Sequence, residues 1–130
     1  MIKSSNTLPP LPRQLKKREA EITPKVLAWF KRFHVKTCAI EIKSTETESI
    51  PESALLPHQK AALLMAAHGV LTHKISDAGR MRVPFDAFQL CGVPSYVVAC
   101  FRAHRIALVI PVDEWRGANV DTKALYRIKL

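Results

Sequence analysis

Two apolar runs near the end of the chain limit the fold more than any other feature. SYVVACF, residues 95–101, and RIALVIPV, residues 105–112, are rich in β-branched side chains and are separated only by the polar break Arg102 to His104. Such runs suit a pleated, buried surface, and so short a break leaves room for little more than a turn, so the pattern predicts an antiparallel hairpin. The rest of the chain must then supply what pairs with this hairpin and covers it.

Thr23 followed by Pro24 predicts a helix start, with a hydroxyl cap and a proline at the first helical position. The helix is expected to run to about Phe33, with Val26, Leu27, Phe30 and Phe33 as its apolar stripe. A strand is expected over 37–43, followed by a polar loop over 44–53. Pro57 opens a second helix through HQKAALLMAAH and Gly69 closes it, with Ala61, Leu64, Met65 and Ala67 or His68 expected toward the sheet. Short strands are expected on either side of a turn at Asp77, Ala78 and Gly79, and the tail TKALYRIKL fits helix or strand equally. The order helix, strand, helix, strands predicts an α/β domain, a mixed β-sheet flanked by helices.

At 130 residues and 48% apolar content the chain suits one buried core. Pro9, Pro10 and Pro12 interrupt the first residues, and Arg13, Lys16, Lys17 and Arg18 follow. Residues 1–18 are therefore read as a flexible basic arm and 19–130 as the domain. A formal charge of +9 points to a polyanionic partner, nucleic acid before others. Cys38, Cys91 and Cys100 are odd in number and widely spaced, which fits neither a disulfide framework nor a zinc ribbon and suggests a reducing setting. Without a signal-peptide core or a run long enough to cross a membrane, a soluble cytoplasmic protein is expected.

Within the first strand, CAIEIK places Glu41 and Lys43 on one face and Ile40 and Ile42 on the other. A carboxylate and an ammonium beside a sheet need partners, a bound metal being one, because burying them unpaired costs several kcal/mol or more. Read on its own, Glu-x-Lys on a strand is also common surface decoration. The continuation narrows the choice: after Glu41-Ile-Lys43 come a polar loop, Ser49-Ile50-Pro51, and Leu56-Pro57-His58-Gln59 opening a helix.

This arrangement resembles the PD-(D/E)xK nuclease superfamily, and within it the RecU type of Holliday junction resolvase, over roughly residues 19–115. The resemblance implies a restriction-endonuclease-like fold and a Mg²⁺-dependent endodeoxyribonuclease, with Mn²⁺ as the alternative ion. It implies four-way DNA junctions or other branched DNA as substrate and a homodimer. Glu41, Lys43 and Gln59 take the catalytic positions, with Gln59 beside the attacking water. Metal ligands would be Glu41, Asp86 and Glu21, with Asp77 as the rival of Asp86 and Glu19 as the rival of Glu21. Lys16, Lys17, Arg18 and His58 would contact DNA. One departure stands out: the family carries an acid in a hairpin just before its Glu-x-Lys strand, and only His34, Val35 and Lys36 are available here. Asp86, in Val-Pro-Phe-Asp, is the expected replacement. The alternatives are a duplex- or flap-cutting repair, restriction or phage-type nuclease, and a DNA-binding module of the same fold without catalysis.

Overall fold

The computed structural model describes residues 10–33, 36–74 and 87–130, with side chains from residue 20 onward. Its elements are α1 (Pro10–Phe33), β1 (Ala39–Thr45), β2 (Ser49–Ile50), α2 (Pro57–His68), β3 (Val70–Lys74), β4 (Ala87–Cys91), β5 (Ser95–Phe101), β6 (Ile106–Pro111), β7 (Ala118–Asn119) and β8 (Tyr126–Lys129). Short 3₁₀ turns occupy Glu52–Ala54, Arg102–His104 and Val112–Glu114.

The main sheet has four strands in the order β1, β5, β6, β8. The two apolar runs form its centre as the antiparallel pair β5 and β6, with Val98 opposite Val109. The chain leaves β1, passes through α2 and the β3–β4 hairpin, and returns as β5, parallel to β1 with Glu41 opposite Val97 and Lys43 opposite Ala99. Parallel neighbours need a long crossover, and α2 lies within this one. The tail resolves as a strand: β8 pairs antiparallel with β6 and closes the far edge. Among the described residues the fold is therefore mixed α/β, with a mixed sheet and two helices.

All seven residues of β5 are buried. Alternation along the strands sends side chains to two separate apolar clusters. On one face Ile22, Val26 and Phe30 of α1 pack with Tyr96, Val98, Cys100, Val109 and Ile128, joined by the half-buried Ile40 and Ile42. On the other, Leu63 of α2 packs with Val97, Ala99, Phe101, Leu108 and Trp115. Trp115 is 0% exposed, and its indole Nε1–H donates to the Glu52 carbonyl at 3.0 Å, so a fully buried ring keeps its polar atom satisfied. Beyond it Gly117 adopts φ +83°, and a Cβ there would lie 2.8 Å from both Glu52 N and Ile50 O. Only glycine suits that left-handed backbone and that close approach to the exit of β2.

Several elements differ from the sequence expectation for identifiable reasons. Helix α1 begins at Pro10, not at Thr23, so residues 10–18 of the expected arm are helical and Pro24 lies inside the helix. Pro24 removes the hydrogen bond to the carbonyl of Ala20, and Ala20 is exposed, so water can satisfy that oxygen. The buried stripe of α1 is Ile22, Val26 and Phe30, while Leu27 and Phe33 are 49% and 63% exposed. On α2 the buried residues are Leu63 and Ala66, with Ala61, Met65 and His68 exposed. That helix is apolar almost all the way round, so its sequence does not select a face. The first strand covers 39–45 and not 37–43, and the expected loop 44–53 contains β2, which pairs with β7. The expected strands around Asp77 are β3 and β4, antiparallel with Thr72 opposite Gln89, and the turn itself lies outside the described residues. Among the described residues no helix is long and apolar enough to cross a membrane.

Candidate functional site

Glu41 and Lys43 project from the α2 face of β1, the face that also carries Ala39. β1 is an edge strand, so the pair sits where the sheet is open to approach from one side. Lys43 Nζ lies 3.7 Å from Glu41 Oε2, and the side chains are 17% and 32% exposed. Two residues apart on one face, their long side chains can meet across about 7 Å of strand.

Gln59 completes the group from α2. Its Oε1 accepts a hydrogen bond from the Leu56 backbone N–H at 3.1 Å, satisfying an orphan donor at the helix start. Its Nε2 donates to Glu41 Oε2 at 3.3 Å. These two partners fix the orientation of the amide, because a backbone N–H demands the carbonyl and a carboxylate demands the NH₂. Gln59 therefore joins the helix cap to the strand carboxylate. Both contacts to Glu41 fall on Oε2, and Oε1 has no partner among the described residues. That oxygen is the atom of this group available to a hard cation, which takes oxygen ligands and tolerates one or two carboxylates with the remaining positions filled by water and phosphate.

The other expected site residues distribute as follows. Glu21 stands on α1, which packs on the opposite face of the sheet, and its nearest charged partner is Arg102, with Arg102 Nη2 4.0 Å from Glu21 Oε2. The structure therefore does not bring Glu21 to Glu41. Asp86 and Asp77 lie outside the described residues, and Asp86 immediately precedes β4. The side chains of Glu19, Lys16, Lys17 and Arg18 are likewise outside the described set. His58 is exposed in the first turn of α2, one residue from Gln59. Among the described residues no three His, Cys, Asp or Glu side chains gather as a metal site.

Sequence reasoning placed Gln59 at the start of α2 but missed the face it occupies. Gln59, Ala62, Leu63 and Ala66 form the inward-facing stripe at i, i+3, i+4 and i+7, so the glutamine heads the buried row. On the α1 side, burial pushes the Cys38 thiol up. The Tyr96 phenol is also pushed up, first by burial and then by Tyr126 and Cys38. Comparison with protein-family models, with curated proteins and with solved structures gave no match.

Proposed function

We propose that this chain is a metal-dependent endodeoxyribonuclease of restriction-endonuclease-like fold that cuts branched DNA, with four-way junctions as the favoured substrate. The observation that carries the reading is the contact of Gln59 with Glu41, residues 18 apart on separate elements, beside Lys43 on the same strand face. Residues first linked only by resemblance thereby have a geometric relation that local sequence does not require. Mg²⁺, or Mn²⁺ in its place, would be held by Glu41 through Oε1, with Asp86 as the proposed second ligand and substrate phosphate completing the shell. Bound there, the ion would polarise the phosphoryl oxygen and lower the pKa of a water.

The protein's own groups perform the remaining tasks. Gln59, anchored through its carbonyl to the helix cap, holds the Glu41 carboxylate in one orientation and can present its remaining N–H to an attacking water. Lys43 stands next to the same carboxylate, where its ammonium can offset negative charge that builds on the phosphate during attack. A lysine can also pass a proton in that position, whereas an arginine stays charged. Matched cuts across a four-way junction call for two sites related by two-fold symmetry, hence a proposed homodimer.

Lys43→Ala tests the assignment. Cleavage of a synthetic four-way junction in Mg²⁺ is expected to fall by roughly 10²- to 10⁴-fold, the range typical of a positioned acid–base group. Junction binding in EDTA should stay at the wild-type level. Undiminished cutting by this variant sinks the mechanism, and equal cutting of linear duplex of the same sequence removes the junction preference. The rival is a DNA-binding module without catalysis, favoured by the lack of a three-ligand cluster among the described residues. A wild-type protein that binds DNA and never cuts it across a Mg²⁺ and Mn²⁺ titration would establish that rival.

A further inference from the structure

The 3₁₀ turn between β5 and β6 carries arginines at both ends, Arg102 and Arg105. Arg102 is held in place: its Nη1 donates to Glu46 Oε1 at 2.6 Å and its Nη2 lies 4.0 Å from Glu21. Arg105 differs. It is exposed, and it adopts φ 56° and ψ 40°, the left-handed region, which side-chain-bearing residues rarely occupy. Its backbone is fixed from both sides, with its N–H donating to Arg102 O at 3.2 Å and its carbonyl accepting from Leu130 N–H at 2.8 Å. A glycine would relax this position, yet an exposed arginine occupies it.

Two recesses meet at this residue. One, of about 520 Å³, lies on the α1 side and includes Lys25, Arg102 and Arg105, with Glu21 as its acid. The other, of about 500 Å³, lies along β8 and includes Arg105, Arg127 and Lys129. Arg105 and Leu130 line both, so the two recesses adjoin at the end of the sheet. Lys25, Arg105 and Lys129 have no ion-pair partner among the described residues, and Arg127 donates to the Val120 carbonyl at 3.1 Å. Cations thus outnumber acids along a track longer than a single phosphate. Arg127 and Lys129 stand on one face of β8, about 6.8 Å apart, which matches the axial rise of about two nucleotides in one strand of a duplex.

We propose that the two recesses form a second phosphate track around the end of the sheet, from the α1 face to β8, where Arg127 and Lys129 share the sheet face of Glu41 and Lys43 but stand at the opposite edge, and that it grips the backbone of a nucleic-acid arm as it leaves the Glu41–Lys43 edge. The track and that edge are joined by the sheet: Thr45, two residues beyond Lys43, lies opposite Phe101, and Arg102 follows directly. The identity of the anion rests on the nuclease reading; the groove itself does not. A membrane surface fits less well, because insertion needs protruding apolar side chains and Ile22 and Ile128 in the lining are buried.

The test measures binding of a labelled DNA duplex in EDTA over a series of salt concentrations. Arg105→Gly suits the left-handed backbone and keeps the fold, which thermal unfolding verifies, while it removes the cation. Lys25→Ala/Lys129→Ala changes two exposed side chains and serves as a second probe. Each lost phosphate contact should lower the slope of log affinity against log salt by about 1, hence about 1 for Arg105→Gly and about 2 for the double variant. Arg116→Ala/Lys123→Ala, near the opposite end of β6, should leave the slope unchanged. Wild-type slopes in the groove variants overturn the proposal, as does binding to anionic vesicles in place of DNA. The nuclease reading fails separately: a wild type that binds with the full slope but cuts nothing in Mg²⁺ loses that reading and keeps the groove.

Discussion

The two faces of β1 are built from neighbouring residues and have opposite character. Toward α1 the strand presents Ile40 and Ile42, and the helix meets them with its C-terminal half, through Val26 and Phe30. Toward α2 it presents Ala39, Glu41 and Lys43, and there the first turn of the helix arrives, bringing Gln59 to Glu41. Beyond its first turn a helix has no spare backbone N–H groups, and there α1 covers the strand with apolar side chains. A helix start has orphan N–H groups and needs polar caps, so it can share them with a carboxylate. Where on a helix a strand is met thus decides whether the contact is core or site. The partial exposure of Glu41 and Lys43 spares them the full desolvation cost of a buried pair.

The contrast is limited to the helix start, which the largest expected effect checks. Farther along the same face, Trp115 is fully buried against Leu63 and the ends of the central strands. Trp115→Ala should cost about 3–5 kcal/mol in urea unfolding, because it opens a large cavity and leaves the Glu52 carbonyl without its donor. A cost near that of a surface change would mean that this face is loosely packed throughout, and the distinction between the helix start and the rest of the helix would lose its basis.

Gln59→Ala sharpens the comparison with a smaller effect. It removes one hydrogen bond to the Leu56 N–H and one to Glu41, and its expected cost to unfolding free energy is about 1 kcal/mol. Junction cleavage should drop more than stability does, because the carboxylate loses its orienting partner. A stability loss with unchanged cleavage would reduce Gln59 to a cap and leave Glu41 and Lys43 as an ordinary strand pair.

The central hairpin was legible in the sequence because both its strands are buried and β-branched, and the turn between them is short. The common face of Glu41 and Lys43 follows from strand alternation alone, and Pro57 and Gly69 mark the limits of α2. The pairing of β1 with β5 was not legible, since parallel partners lie on either side of a crossover and share no local pattern. Nor was the inward face of α2, where alanines on every side erase the period that would have shown Gln59 leading the buried row. Arg105 escaped notice for another reason. Its role depends on a left-handed backbone and on the proximity of β8, neither of which a linear reading supplies.

The smallest expected effect tests the apolar character of the α1 face. Cys38 and Tyr96 both hold their protons more tightly in the folded chain than free in water, chiefly because burial disfavours their anions. Their contribution to stability is complete while both states are protonated, and it is lost as pH rises through the folded pKa values, since the unfolded chain then releases protons that the folded chain retains. Thermal unfolding temperature should therefore decline from about pH 9.0 upward through Cys38, and further above about pH 10.0 through Tyr96. Cys38→Ala should flatten the first part of the decline relative to wild type, and Tyr96→Phe the second. If neither variant alters the curve, water reaches both groups, and the α1 face is no drier than the one that carries Glu41.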